Sequence, residues 1–197
     1  MERSENKKAG KENKLKKLWG FLWEENSLLS WAVFFIVVLP ICFLIIKFVF
    51  FPFFSFVFSS PLPFVIVESG SMEHNNANFD KWWNSSGGWY EANNITKEKF
   101  LEWPWRKGFN KGDIMVVAGS KEYNQGDVIV FKRDAGVPII HRLIFLEPLG
   151  TKGDNNLYQL GEEKNIGKDR VLGKAVFKIP LLGYLKLVFV EIYNNIK

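Results

Sequence analysis

The sequence predicts a mainly β protein, with an N-terminal transmembrane helix followed by a compact antiparallel β barrel or sandwich that carries an inserted segment. Residues 28–46 form an uncharged apolar stretch of 19 residues, and apolar character resumes after Lys47. From residue 112 onward, short runs rich in Val, Ile and Phe alternate with Gly-Asp turns. The first pattern is typical of a membrane-spanning helix and the second of antiparallel strands.

Composition and charge exclude several functions. The net charge is +5, and seven of the 26 Lys and Arg residues lie before residue 18, so the body of the chain is not a basic surface for nucleic acid. The one cysteine, Cys42, lies in the apolar run, so no internal disulfide can form. The chain contains no His-x-His motif, cysteine pair or carboxylate ladder of the kind that binds metals. We therefore expect no metal, cofactor or nucleic-acid partner.

The N-terminal part is interpreted as a basic cytoplasmic tail, 1–26, and a transmembrane anchor, 27–51. As a helix, the 19 residues from Leu28 to Ile46 span roughly 28 Å, close to the hydrocarbon thickness of a bilayer. A cleaved signal peptide would have a shorter apolar region and a clear small-residue cleavage site, so we predict an uncleaved, single-pass anchor. The positive-inside rule predicts a cytoplasmic N-terminus. The membrane is expected to be the cell membrane or, in a eukaryote, that of the endoplasmic reticulum.

The remaining chain is interpreted as an extracytoplasmic β domain, 52–185, and a C-terminal tail, 186–197, which is a candidate interfacial helix. Pro52, Pro61 and Pro63 separate the anchor from the first strand. Five apolar runs predict strands, at 64–67, 113–117, 127–131, 138–146 and 171–179.

Residues 73–111 interrupt the β pattern and are predicted to be an insertion between two strands. A helix is expected around Thr96–Trp103, with Thr96 as its N-cap. The two sequons, at Asn84 and Asn94, give weak support for an exterior location. Two explanations of the aromatic side chains stay open: contact with lipid headgroups, or a small aromatic core. They include Trp82, Trp83, Trp89, Trp103 and Trp105.

A candidate nucleophile lies where the first predicted strand ends. Ser69, Gly70 and Ser71 are small, and the glycine permits a tight turn that can expose a serine hydroxyl. Such a serine is reactive only if a base takes its proton, and the sequence has two histidines. His141 lies inside an apolar strand, whereas His74, three residues after Ser71, is expected to be exposed to solvent.

A third candidate is Asp154, in the polar stretch 151–156. It follows His141 by 13 residues, so a hairpin could return its carboxylate to the imidazole. A carboxylate there would orient the histidine and stabilise its charged form. An Asp-Asn turn that bonds its own backbone is the other interpretation of this stretch.

Several motifs occur in the order found in one enzyme family. They are Ser69-Gly70-Ser71-Met72-Glu73, Gly112-Asp113-Ile114, Gly126-Asp127-Val128, His141-Arg142 and Lys152-Gly153-Asp154-Asn155-Asn156. Together they resemble type I signal peptidase in its archaeal and endoplasmic-reticulum branch, over roughly residues 28–72 and 112–185. The family's bacterial branch has a lysine base where this chain has His141, so the resemblance implies a Ser–His–Asp mechanism.

Two positions depart from the family pattern. His74 stands where the family usually has proline, and Leu160 stands where a second aspartate is usual. Glu162 is the candidate second acid, with its neighbour Glu163 as the other choice after a shift of the loop, and a third interpretation is that Asp154 acts alone. Two alternative functions stay open. The first is a Ser–Lys peptidase with Lys132 or Lys152 as base, and the second is a membrane-anchored binding or assembly module without turnover.

The resemblance implies a membrane-bound serine endopeptidase that removes signal peptides. Ser71 would be the nucleophile, His141 the general base and Asp154 the orienting acid. The Ser71 backbone N–H and the Ser69 hydroxyl would bind the oxyanion. The expected partners are preproteins with small residues at alternate positions before the cut, the lipid bilayer and, as a candidate, the protein translocation machinery.

Overall fold

A computed structural model of the chain describes residues 14, 16, 17, 19, 20, 28–74, 78–180 and 182–184. The chain divides into two compact units, Met1–Phe53 and Phe54–Lys197. Most of the predicted basic tail, 1–26, and the candidate interfacial helix within 186–197 lie outside the described residues.

Helix α1 runs over the 30 residues Leu28–Val57, in which Lys47 is the one charged residue. By length and composition it can cross a membrane. It extends beyond the predicted anchor, 27–51, because Pro52 does not end it. Pro40 and Pro52 each follow a π-helical segment, Phe34–Val38 and Ile46–Phe50 respectively. These segments rearrange the backbone hydrogen bonds next to residues that lack an N–H.

In the part of the chain that the structure describes, six strands form one antiparallel sheet in the order β1-β2-β6-β3-β4-β5. The predicted mainly β, antiparallel architecture is thus confirmed, and each predicted strand is present. β5 was not predicted, because its Leu-Gly-Thr-Lys sequence lacks an apolar run. The strands are β1 Phe64–Ile66, β2 Ile114–Ala118, β3 Val128–Phe131, β4 Ile139–Leu146, β5 Leu149–Lys152 and β6 Val171–Ile179.

Strand β3 shows why these runs are apolar at successive positions. Alternate side chains of a strand point to opposite faces. Val128 and Val130 join one buried cluster, with Met115, whereas Ile129 and Phe131 join another. Both faces are covered, so β3 is buried along its whole length. The neighbouring β4 carries buried polar residues in the middle of this apolar framework.

Residues 78–111 of the insertion contain three short helices, α2 Phe79–Ser86, α3 Gly88–Glu91 and α4 Lys97–Leu101. The helix expected around Thr96–Trp103 is confirmed in α4, and the Thr96 hydroxyl accepts a hydrogen bond from the Lys99 N–H at 3.3 Å. Such a side-chain cap satisfies a backbone donor that the first turn leaves unpaired.

The aromatic residues of the insertion pack mainly against one another. The rings of Trp82 and Phe100 have centroids 5.1 Å apart. Of the two explanations left open by the sequence, the structure supports an internal aromatic core, because most of these side chains are buried together. The buried members are Trp82, Trp83, Tyr90, Ile95, Phe100 and Trp103, with Ile144 from β4.

Candidate active site

The candidate nucleophile lies in a turn that begins just beyond β1. Val67 extends the strand by exchanging hydrogen bonds with the 112–113 backbone, at 2.9 and 2.8 Å. The chain then turns, and the Glu73 N–H donates to the Gly70 carbonyl at 3.1 Å. Ser71 is half-buried in this turn, so its hydroxyl is neither enclosed in the core nor fully solvated.

His141 brings the candidate base to this turn from the middle of β4. Its backbone pairs with Ile129 of β3, which holds the imidazole in a buried, rigid position. The imidazole Nε2 lies 2.8 Å from the Ser71 hydroxyl oxygen. Two side chains 70 residues apart in the sequence are therefore within hydrogen-bond distance, in the arrangement that activates a serine.

Glu163 holds the other side of the imidazole. Its Oε1 is paired with His141 Nδ1 and also accepts from the Thr151 hydroxyl at 3.1 Å. Its Oε2 accepts from the Leu160 N–H at 2.7 Å, and the side chain is fully buried. An ionised carboxylate only accepts, so Nδ1 carries the hydrogen and Nε2 is free to accept the Ser71 proton.

Asp154, the residue expected to orient His141, has other partners. Its two oxygens accept hydrogen bonds at 2.8 Å from Nε and Nη2 of Arg142, 2.9 Å from the Tyr90 hydroxyl and 3.0 Å from His74 Nε2. Burial opposes ionisation, but the Arg142 charge and these donors outweigh it and hold the pKa of Asp154 well below its usual range. The geometry places Glu163, rather than Asp154, at the imidazole.

Of the remaining predicted residues, the structure places Ser69 beside Ser71 and Glu162 away from the site. The Ser69 hydroxyl lies 3.1 Å from that of Ser71, so both oxyanion candidates belong to one turn. Glu162, named as the second acid, points away and pairs with Arg133 at 2.6 Å. It differs from Glu163 because successive residues of the short 3₁₀ turn Gly161–Glu163 face different directions.

The structure also shows the surroundings of the three alternative bases, His74, Lys152 and Lys132. His74 was expected to be solvent-exposed, but this is wrong: Trp82 stacks on its ring at 3.7 Å and only 4% of its surface is accessible. Lys152 is buried and donates to the Gly153 carbonyl at 3.0 Å, while Lys132 is exposed. Among the described residues, the hydrogen-bond partners of the Ser71 hydroxyl are Ser69 and His141.

The turn after β5 supports the nucleophile. The Asn155 N–H donates to the Ser71 carbonyl at 2.8 Å, and its side-chain amide donates to the Gly70 carbonyl at 3.1 Å. A side chain at Gly153 would place its Cβ 2.8 Å from His141 Nε2 and 2.9 Å from the Ser71 carbonyl oxygen. Glycine therefore leaves room for the serine and the imidazole to meet.

The sequence only partly indicated the acid that contacts His141, and it did not indicate the partners of Asp154. Two adjacent glutamates showed that an acid follows the Asp154 turn, but not which one turns inward. Arg142 and Tyr90, which bind Asp154, could be found only from the fold. Among residues 28–74, 78–180 and 182–184, no group of three His, Cys, Asp or Glu side chains is arranged to hold a metal ion.

No protein-family model matches this sequence. Curated proteins do resemble it. The chain is 28% identical over 168 residues to signal peptidase complex catalytic subunit SEC11 of Ogataea parapolymorpha, covering 73% of this chain and 77% of that protein. It is 26% identical over 153 residues to the protein of the same name from Verticillium alfalfae, covering 70% and 69%. Signal peptidase I W of Bacillus subtilis is 35% identical over 81 residues, covering 36% of this chain and 43% of that protein.

Proposed function

We propose, on the premise that this chain belongs to the type I signal peptidase family, that Ser71, His141 and Glu163 carry its peptidase activity. The homologues support a membrane-bound protease that removes signal peptides. The observation that carries the residue assignment is the line of contacts from the Ser71 hydroxyl to His141 Nε2, 2.8 Å away, and from Nδ1 to the buried Glu163 carboxylate. This is the arrangement of a serine, its base and an orienting acid.

In the acylation step, Ser71 Oγ forms a bond to the carbonyl carbon of the scissile peptide. Its proton moves to His141 Nε2, and Glu163 stabilises the resulting imidazolium through Nδ1–H. When the carbon–nitrogen bond breaks, the imidazolium gives that proton to the leaving amine. The mature protein leaves with a new N-terminus, and the signal peptide remains as an ester on Ser71.

Deacylation uses the same side chains with water in place of the amine. His141 Nε2 removes a proton from the water molecule while its oxygen attacks the ester carbon. The proton then returns to Ser71 Oγ as the acyl–oxygen bond breaks. Each proton that leaves is restored, so the enzyme ends the cycle in its starting state and requires no cofactor.

The Ser71 backbone N–H and the Ser69 hydroxyl are proposed to bind the oxyanion that forms on the carbonyl oxygen. The position of the Ser69 hydroxyl, 3.1 Å from the nucleophile, supports a role beside the attacked carbonyl. Removing one oxyanion donor costs about 10²–10³ in turnover in enzymes of this type.

The substrate is proposed to be the extended segment of a preprotein with small residues at alternate positions. β1 forms one edge of the six-stranded sheet and leads directly toward Ser71. An edge strand can pair with an incoming peptide through backbone hydrogen bonds. Alternate peptide side chains would then face the protein, and the proposal requires that the surface there accept only small groups.

The membrane orientation is proposed from the charge of the N-terminal tail, which favours a cytoplasmic N-terminus and a catalytic domain on the opposite side. The membrane is a cell membrane or that of the endoplasmic reticulum. In sealed vesicles with the cytoplasmic face outward, added protease should remove an N-terminal epitope and leave the catalytic domain intact. Digestion of the domain before the vesicles are opened would contradict this orientation.

The catalytic assignment is tested with wild type, Ser71→Ala and His141→Ala, each purified in detergent and incubated with a preprotein. Both variants should cleave at least about 10³-fold more slowly, because neither can generate the activated serine. A fluorophosphonate probe should label wild type at Ser71 and should not label Ser71→Ala. Cleavage at the wild-type rate by either alanine variant would overturn the assignment.

A further inference from the structure

The inserted segment, 73–111, reaches the catalytic domain through a buried carboxylate. Two of its side chains, His74 and Tyr90, donate hydrogen bonds to Asp154 at 3.0 and 2.9 Å. Arg142 supplies two more at 2.8 Å. Because Asp154 is fully buried, its negative charge is stabilised by these four hydrogen-bond donors rather than by water.

The insertion also surrounds the guanidinium group of Arg142, which forms an ion pair with Asp154. Nη1 and Nη2 of Arg142 donate to the Pro104 and Trp105 carbonyls at 2.7 and 3.0 Å. The guanidinium lies over the Phe100 ring, 4.7 Å from its centroid, where a cation–π attraction is favourable. Arg142 directly follows His141 on β4, so these contacts hold the strand that carries the candidate base.

Asp154, the anion of this ion pair, lies in a turn whose backbone contacts the candidate nucleophile and the residue after it. The Asp154 N–H lies 3.3 Å from the sulfur of Met72, and the next residue, Asn155, donates its backbone N–H to the Ser71 carbonyl at 2.8 Å. A shift of the Asp154 carboxylate would therefore move the Ser71 turn. His141 is one residue from Arg142, and Ser71 is hydrogen-bonded to Asn155, the residue after Asp154. Both members of the candidate site are therefore connected to the Asp154–Arg142 ion pair that the insertion contacts.

We propose that 73–111 is a positioning element of the catalytic site, with Tyr90 and His74 as positioning residues that act through Asp154. They keep the Ser71 hydroxyl within reach of His141 and do not touch the substrate. This inference rests on the proposed function, because it assumes that Ser71 is the nucleophile. Its consequence is a loss of turnover with little change in substrate affinity.

His74 needs only one donor atom for this role. Its Nε2 faces an ionised carboxylate, so it carries the hydrogen, whereas its buried Nδ1 has no hydrogen-bond partner among the residues that the structure describes. The ring face contributes by stacking on Trp82, with 6° between the planes. A side chain that keeps a donor should preserve the positioning, and an apolar side chain of similar volume should not.

The first experiment compares Tyr90→Phe with wild type and with Glu91→Ala. Tyr90→Phe removes only the hydroxyl that binds Asp154. Glu91→Ala removes a hydrogen bond inside the insertion, from Trp83 Nε1 at 3.0 Å, which does not reach Asp154. With a preprotein substrate, Tyr90→Phe should lower kcat by about 10- to 100-fold with KM within about threefold, since small misplacements of reacting groups have effects of this size. Glu91→Ala should keep the wild-type kcat.

The second experiment compares His74→Gln with His74→Leu. Glutamine can donate to Asp154 and should retain most of the activity, whereas leucine should lower kcat as Tyr90→Phe does. Titration with the fluorophosphonate probe counts the folded, reactive sites, so kcat is expressed per reactive Ser71. If Tyr90→Phe fails to fold, the pair at His74 decides the question.

The outcomes separate this inference from the proposed function. If Ser71→Ala is inactive while Tyr90→Phe and His74→Leu turn over at the wild-type rate, the positioning role is overturned and the peptidase assignment stands. If Ser71→Ala is active, the assignment itself fails. Equal losses in His74→Gln and His74→Leu would also overturn the positioning role, because the donor would then be irrelevant.

Discussion

Glu162 and Glu163 are adjacent in the chain but differ in burial and in their hydrogen-bond partners. Glu163 is buried and accepts hydrogen bonds from His141, Thr151 and the Leu160 backbone. Glu162 is partly exposed and pairs with Arg133, which is itself in contact with solvent. A surface ion pair of this kind contributes little to stability, whereas a buried carboxylate against an imidazole determines its tautomer.

We predict that Glu163→Gln lowers kcat by about 10³- to 10⁴-fold, because a neutral amide in place of the acid disturbs the histidine tautomer and does not stabilise its charge. Glu162→Gln is the matched control and should change kcat by less than about twofold, since surface pairs contribute little. Preprotein cleavage by the two purified variants measures both. A Glu163→Gln variant as active as Glu162→Gln would remove Glu163 from the catalytic mechanism.

Lys152 is a buried cation outside the catalytic contacts. Its ammonium lies 4.7 Å from the centroid of the Tyr90 ring and donates to the Gly153 carbonyl at 3.0 Å. Burial lowers the pKa of Lys152 from 10.5 to about 8, in spite of the nearby negative charges of Asp154 and Glu163. The folded protein therefore releases this proton at a lower pH than the unfolded chain does.

This pKa predicts a pH dependence of stability. Between pH 8 and 10.5 the unfolded chain holds the Lys152 proton and the folded chain does not, so the free energy of unfolding contributed by this group rises with pH. Lys152→Met should lack this rise. Chemical denaturation at a series of pH values should show the variant losing stability relative to wild type through that interval, with a constant difference below pH 7. A constant difference throughout would contradict the lowered pKa.

At the scale of single elements, the turn between β5 and the 3₁₀ helix Gly161–Glu163 connects the parts of the site. Asn155 binds the Ser71 turn, and Glu163 at the end of the segment binds His141. Gly153 begins this turn at the point of closest approach, where a Cβ would lie 2.8 Å from the imidazole Nε2. That distance is well inside van der Waals contact, so a larger residue must displace its neighbours.

Gly153→Ala should separate Ser71 from His141 and lower kcat by about 10²-fold or more, because a displacement near 1 Å has effects of this size. Gly88→Ala is a suitable control, since a Cβ at this helical glycine meets nothing within 4 Å. Kinetics and the extent of probe labelling at Ser71 report the effect. Wild-type turnover in Gly153→Ala would show that the turn accommodates the methyl group without moving the site.

At the scale of the whole molecule, α1 and the β domain differ in how much apolar surface they expose. The side chains of α1 are largely exposed, including Phe43 and Leu44 near its centre, and its length of 30 residues exceeds what a bilayer requires. In water such a surface would be highly unfavourable. This exposure supports the proposal that lipid covers the helix.

Replacing both Phe43 and Leu44 by Asp should weaken membrane insertion, because each central Asp costs about 2.5–3.5 kcal/mol. The fraction of protein that remains in the membrane pellet after alkaline carbonate extraction measures this effect. Leu157→Asp is the control, because it changes an exposed apolar side chain of the β domain and should remain in the pellet like wild type. Full retention of the double variant would argue against α1 as the anchor.

The sequence by itself determined the features that depend on local pattern. The apolar run marks α1, and the β-branched runs mark five of the six strands, because their periodicity is visible without partners. The order of the motifs also singled out Ser71 and His141, which the structure places 2.8 Å apart. The continuation of α1 through Pro52, next to the π-helical segment Ile46–Phe50, is visible only in the structure.

The tertiary structure alone decided which acid meets which base. Asp154 and Glu163 are both carboxylates that follow His141, and the difference between their partners arises from Arg142, Tyr90 and His74. These donors come from β4 and from the insertion 73–111. Pairing among buried charges depends on which side chains share a low-dielectric space, and that is a property of the folded chain rather than of any short stretch of it.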